Sequence, residues 1–319
     1  MKISLPKFVI VGALGSVAIF SKFLSPLLID RKKVERRKNL SYGKGPAQRL
    51  DLYLPRDRTR EAKYPVSLLI HGGGFRFFSK ESHAVVASRL AASGRIVFCI
   101  DYRVAPKNPF PDGLCDALHA YTWMIENAEQ LGGDLDKISL VGESSGANFV
   151  ASLCLYLFGI GSFPSGSSVL AAPSIKPRAA VLHCGFFQVS NLEHFRNDPR
   201  CFPTAQTRIV QIREQYLPAR ATLSARDLAL ADPLATLDQW ADAHPAVPSG
   251  FPECFVPVGA TDPVIGDSER FARVLARLGQ TDRLKVYPGV GHAFYAGPSN
   301  PQVDDCWADL VHFLSENRA

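Results

Sequence analysis

Short apolar runs recur along the chain, separated by stretches in which apolar residues fall three or four apart. The spans 65–70 (PVSLLI), 96–100, 137–141, 179–184, 254–258 and 284–287 read as strands. Runs that are apolar nearly throughout suit strands covered on both faces. The span 48–53 (QRLDLY) alternates and reads as a further strand. Between strands, 111–131 carries Leu114, Leu118, Tyr121 and Ile125 at helical spacing and stops at Gly132-Gly133. The spans 145–158, 270–278 and 306–316 also read as helices. Buried strands alternating with helices predict an α/β fold with a mostly parallel sheet and helices on both faces.

One region breaks this rhythm. Between 186 and 248 no strand pattern occurs, and a structureless loop of that length does not fit a compact domain. A helical insertion does, with 203–216 and 223–230 as its helices. Placed there, it covers the carboxyl ends of the strands, where open α/β sheets bind their ligands. The predicted organisation is a core over 41–185 and 249–319, a helical cap over 186–248, and a separate N-terminal segment over 1–40.

That segment holds thirteen almost wholly apolar residues from Phe8 to Phe20, then Lys22, then FLSPLLI. Three readings stand: a membrane association through 8–29, a secretory signal, and a helix covering the domain's own pocket. The following run, Arg31 to Lys38 (RKKVERRK), has six bases and one acid. Beside a membrane segment it favours a catalytic domain on the cytoplasmic side, with a soluble cytoplasmic protein as the alternative. The run also supplies most of the formal net charge of +6, so the main body carries no basic footprint for nucleic acid. None of the seven cysteines falls in a metal-binding spacing, and the apolar runs around Cys99, Cys154 and Cys184 suit buried thiols. A homodimer is a further expectation.

The chemistry rests on four stretches. VGESSGANFV sets Ser144 between Gly142 and Gly146 at a predicted strand-to-helix turn. Gly-x-Ser-x-Gly alone carries little weight, but this context is what a nucleophile elbow requires. His71-Gly72-Gly73-Gly74 directly follows the strand at 65–70. Consecutive glycines let backbone amides turn inward, where with the Ser145 N–H they can hold an oxyanion. Asp262 and His292 each follow the end of a predicted strand. The order Ser144, Asp262, His292 is nucleophile, acid, base. His292 would take the serine proton, and Asp262 would fix the imidazole and stabilise its cation. Asp267 lies near Asp262 and is the rival acid; its position fits the start of a helix better. His71 is placed to orient the glycine loop. Phe75, Phe186, Phe187 and Phe294 crowd the motifs and are candidate pocket residues.

HGGGF at His71, DYRVAPKNPFP at Asp101, GESSGAN at Gly142, DPV at Asp262 and GHAF at Gly291 occur in one order over most of the chain. The sequence thereby resembles the hormone-sensitive-lipase-like esterases, meaning the bacterial family IV group and the arylacetamide deacetylases. The resemblance implies an α/β-hydrolase fold with about eight strands and a helical cap. It implies hydrolysis of a small-molecule carboxylic ester with no metal or organic cofactor. It also implies Gly73, Gly74 and Ser145 as oxyanion donors, with Gly72 as a further candidate. Four positions depart from the family pattern: Glu143 in place of aspartate, Lys107 in place of glutamate, Ser145 in place of a small apolar residue, and Asp267 one position late. The expected activity is a serine carboxylesterase for short- to medium-chain or small apolar esters. Amide or formamide hydrolysis and sterol or xenobiotic deacetylation use the same machinery and stay open. So does a non-catalytic ligand receptor on this fold.

Overall fold

The computed structural model describes residues 25–167, 169–217 and 224–316. The N-terminal membrane, signal and cap-helix readings fall mainly on residues outside this set. Among the described residues, no helix is long and apolar enough to cross a membrane.

Eight strands form one sheet in the order β1-β2-β4-β3-β5-β6-β7-β8. They are β1 (Val34–Ser41), β2 (Arg49–Pro55), β3 (Tyr64–Ile70), β4 (Ile96–Ile100), β5 (Gly133–Glu143), β6 (Ala179–His183), β7 (Glu253–Gly259) and β8 (Leu284–Tyr287). The β1–β2 and β2–β4 pairs are antiparallel, and β3 to β8 run parallel. Val66, Leu68, Ile70, Leu140 and Leu182 face one core layer; Leu69, Val97, Val141 and Val181 face the other. Both sides of the parallel strands are therefore covered, as their unbroken apolar runs require.

Helices α1 (Ala84–Ala92), α2 (Asp112–Ala128), α3 (Ser145–Leu157), α8 (Ile265–Arg277) and α9 (Pro301–Glu316) flank the sheet. Between β6 and β7 lie α4 (Glu193–Asn197), α5 (Pro203–Tyr216), α6 (Ala225–Leu228) and α7 (Pro233–Ala243). Of these, α7 packs against α3 and α8.

The basic run at 31–38 is mostly strand. It forms the edge strand β1, three of whose charges have partners within the fold. Arg36 reaches across to the fully buried Asp51, and Glu35 meets Arg37 and Arg58. The run escaped a strand reading because its apolar content is Val34 and little else; pairing with β2, not a hydrophobic face, holds it. Asp51 and Asp101 both face Lys80, only 2% exposed, at 3.5 and 3.4 Å. An ammonium that deep is tolerated because the carboxylates around it replace its hydration.

Candidate active site

Ser144 sits at the tip between β5 and α3 with φ +54° and ψ −115°, a conformation that costs a non-glycine residue energy. The surrounding packing enforces it. A Cβ on Gly142 would lie 2.4 Å from the Gly146 carbonyl oxygen, and one on Gly146 would lie 2.2 Å from the Ile70 carbonyl oxygen. Both flanking glycines are thus places where backbone meets backbone. The turn lifts the Ser144 side chain above the sheet while α3 directs its N-terminus toward it.

Ser144 Oγ lies 3.0 Å from His292 Nε2, and His292 Nδ1 lies 2.8 Å from Asp262 Oδ2. Three residues from three separate strand ends meet in one hydrogen-bonded line. Asp262 is fully buried and its second oxygen accepts the Val264 N–H at 2.9 Å. Burial disfavours the His292 cation, but the adjacent Asp262 carboxylate outweighs it and holds the imidazole pKa above its ordinary 6.5. Asp267 is elsewhere. Its carboxylate accepts the Phe187 and Gln188 N–H groups at 2.7 and 3.0 Å and meets His194 at 2.7 Å. It ties the inter-strand segment to α8, which begins two residues before it.

The glycine loop follows β3. Gly73 and Gly74 have φ of +115° and +60°, and no hydrogen bond occupies their N–H groups among the described residues. The Ser145 N–H belongs to the free first turn of α3. The Ser145 hydroxyl is shielded from solvent, and no hydrogen bond occupies the Ser145 N–H among the described residues. The Gly72 N–H points toward His83 Nε2, 3.4 Å away.

His71 is buried, and burial followed by the neighbouring His83 drives its pKa down to about 3. It is neutral, with Nδ1–H donating to the Gly72 carbonyl at 2.7 Å. Tyr102 stacks on its ring at 4.2 Å and donates its hydroxyl to the His71 carbonyl at 3.0 Å. Arg103, next in the same motif, is anchored by Asp116. The stretch beginning at Asp101 therefore braces the loop from behind. Asn148, one turn into α3, donates to the Phe186 and Ala231 carbonyls and fixes the opposite wall. Sequence reasoning gave neither Tyr102 nor Asn148 a role, although both lie within its quoted motifs.

Glu143 is buried behind the serine, 3.3 Å from His83. Burial raises its pKa, yet His83 above all, with His183 and His292, brings it below 4.5. The anion adds to the field that favours the His292 cation.

Phe186 lines the cleft in front of Ser144, with Gly74, Phe202, Ile209, Ile212, Val264 and His292 among the other walls; the cleft holds about 270 Å³. Three other phenylalanines expected there are not among its walls. Phe75 is buried and stacked on Tyr216 at 3.6 Å, clamping α5 to the glycine loop. Phe187 is buried against Phe271, and Phe294 packs on His183 and Tyr287. Neighbours in sequence point to opposite sides at these turns, which spacing alone does not reveal.

Cys184 Sγ, an Asp262 oxygen and a His292 nitrogen fall within 4.8 Å of one another. The donor set is poor for a metal. Burial pushes the Cys184 thiol up to about 11, so it stays protonated, and the other two groups are engaged with each other.

A family model described as alpha/beta hydrolase fold matches residues 67–296, which takes in the glycine loop, the elbow, Asp262 and His292. The chain belongs to the α/β-hydrolase fold family. Its place there is with the hormone-sensitive-lipase-like branch that its motifs resemble. A probable isoprenylcysteine alpha-carbonyl methylesterase from Oryza sativa subsp. japonica is 28% identical, over 88% of this chain and 64% of that protein. An ethyl acetate hydrolase from Pseudomonas putida is 28% identical, over 71% of this chain and 65% of its own length. The chain thus spans just under two thirds of these relatives. Among solved structures, an esterase from Pyrobaculum calidifontis superposes with a TM-score of 0.72 at 25% identity, covering 95% of this chain and 93% of that one.

Proposed function

We propose that the protein is a serine carboxylesterase. The observation that carries this reading is the continuous Asp262–His292–Ser144 line at 2.8 and 3.0 Å, ending on a serine held at positive φ beside a cleft. Ser144 attacks the ester carbonyl as His292 takes its proton. The Gly73, Gly74 and Ser145 N–H groups hold the resulting oxyanion. The tetrahedral intermediate collapses, His292 protonates the departing alcohol, and an acyl-enzyme forms. Water, deprotonated by His292, attacks that acyl group; collapse returns the proton to Ser144 and releases the acid.

The cleft is near the lower end of the roughly 300–1,000 Å³ usual for ligand cavities, and its lining is largely apolar. This supports compact acyl groups of short to medium length. The names of the rice and Pseudomonas relatives, a methylesterase and an ethyl acetate hydrolase, add support for small alcohols as leaving groups. A receptor built on this fold would not need His292 aligned on Ser144, so the geometry favours catalysis.

A fluorophosphonate probe tests the nucleophile: wild type should label and Ser144→Ala should not. Equal labelling of the two would remove the assignment. A panel of p-nitrophenyl esters tests the cleft, with rates expected to fall beyond medium chains. A rate rising steadily from butyrate to palmitate would overturn the compact-acyl reading.

A further inference from the structure

Arg208 lies on the face of α5 that closes the cleft, with Thr204, Ala205, Ile209 and Ile212. It lines this cavity together with Ser144 and His292, the space a substrate enters. The side chain is half-buried, and its Nε–H is shielded from solvent with no hydrogen-bond partner. No carboxylate pairs with it among the described residues. The remaining segments, 1–24, 168, 218–223 and 317–319, contain no aspartate or glutamate that could supply one. Burial alone acts on its pKa, and it acts downward. The other arginines near this surface show the contrast: Arg200 holds Asp198 and Glu269, and Arg277 holds Asp238 and Asp242.

An arginine with no acid partner, lining a largely apolar cleft, is matched best by a planar two-oxygen acceptor. In a cleft this apolar, one fixed cation selects strongly because little water competes for it. We infer that Arg208 is a specificity-determining residue that binds a carboxylate on the substrate, so that the favoured esters carry a free carboxylate besides the scissile ester. This rests on the esterase reading and deepens it. The carboxylate can sit on either side of the scissile ester, so the test uses both.

The assay compares length-matched pairs by pH-stat: monoethyl adipate with ethyl hexanoate for an acyl-side carboxylate, and 4-acetoxybutyrate with butyl acetate for an alcohol-side one. In wild type, kcat/KM for the carboxylate ester should exceed that of its neutral match in at least one pair. Arg208→Met, which keeps an apolar stem in the cleft, should lower that ratio by about tenfold or more, the value of one charge-assisted hydrogen bond. Arg208→Lys should retain part of it. The ratio in wild type should also shrink with added salt less than expected for an exposed charge pair. No preference in either pair, or a ratio unchanged in Arg208→Met, would overturn the inference. Ser144→Ala separates the two readings, since it should abolish turnover of all four esters. If wild type hydrolyses none, the esterase reading fails, and adipate binding decides the remainder: it should raise Tm in wild type and not in Arg208→Met. Equal shifts in both proteins refute the carboxylate site.

Discussion

Replacing Asp262 with asparagine changes one atom type and almost no volume, yet it should nearly silence the proposed esterase. In the native site one carboxylate oxygen accepts the Val264 N–H at 2.9 Å and the other accepts His292 Nδ1–H at 2.8 Å. An asparagine carbonyl can keep only one of these. If it stays on Val264, its amide NH₂ faces Nδ1, which must then become an acceptor. The ring proton moves to Nε2, and His292 presents a donor to Ser144 Oγ where a base is needed. The wrong tautomer and the lost cation stabilisation together reduce kcat by about a thousand- to ten-thousandfold in this type of machinery, or roughly 4 to 5.5 kcal/mol of barrier. The pH profile gives a second readout. As the proposed base His292 would work only when neutral, and its raised pKa places the expected acid limb of wild-type kcat/KM above pH 6.5. Asp262→Asn removes the raising charge and leaves the opposing burial, so residual activity should show its acid limb at lower pH. Hydrolysis of p-nitrophenyl butyrate between pH 5 and 9, with thermal melts to show that the variant is folded, measures both. A folded variant losing less than about tenfold, or keeping the wild-type limb, would refute this account of His292.

Other consequences follow from single contacts. Gly146→Ala puts a methyl group 2.2 Å from the Ile70 carbonyl oxygen, a backbone atom that cannot move aside. Its unfolding free energy should drop by about 3 kcal/mol in urea titration, and an unchanged midpoint would contradict the close packing. Phe187→Ala should cost about 3–5 kcal/mol of stability, because the side chain is core, stacked on Phe271. Phe186→Ala should instead alter acyl-chain preference, read as kcat/KM along an ester series, because Phe186 faces the cleft. Lys80→Met leaves Asp51 and Asp101 without their shared cation, and only Asp51 retains another, Arg36. A loss of about 3 kcal/mol should appear on denaturation, and a neutral outcome would show that the cluster is not cooperative.

Seven of the eight strands and the glycine-flanked serine turn were written in the sequence, as was the placing of Asp262 and His292 just after strand ends. Each is a local consequence of short-range chemistry. A strand buried on both faces must be apolar throughout, and a turn pressed between backbones must be flanked by glycine. Residues at strand ends announce themselves by position. The edge strand β1 was not legible, since its charges are held by Asp51, Glu35 and Arg58 and leave no periodic apolar face. Helix α1 and the helices α4 and α7 were also missed; α4 has only five residues, and pattern over so few turns carries little information. Tertiary structure alone decided which neighbours face the site. It turned Phe186 to the cleft and Phe187 to the core, and aimed the Gly72 N–H toward His83. It also separated Asp262 from Asp267 by setting one against His292 and the other against Phe187 and His194. Nothing local distinguishes those pairs, because direction at a turn depends on the dihedral angles that the assembled layers impose. The unpaired Arg208 belongs with these. A sequence shows an arginine on a helix, and only the folded chain shows that no acid among the described residues comes to meet it.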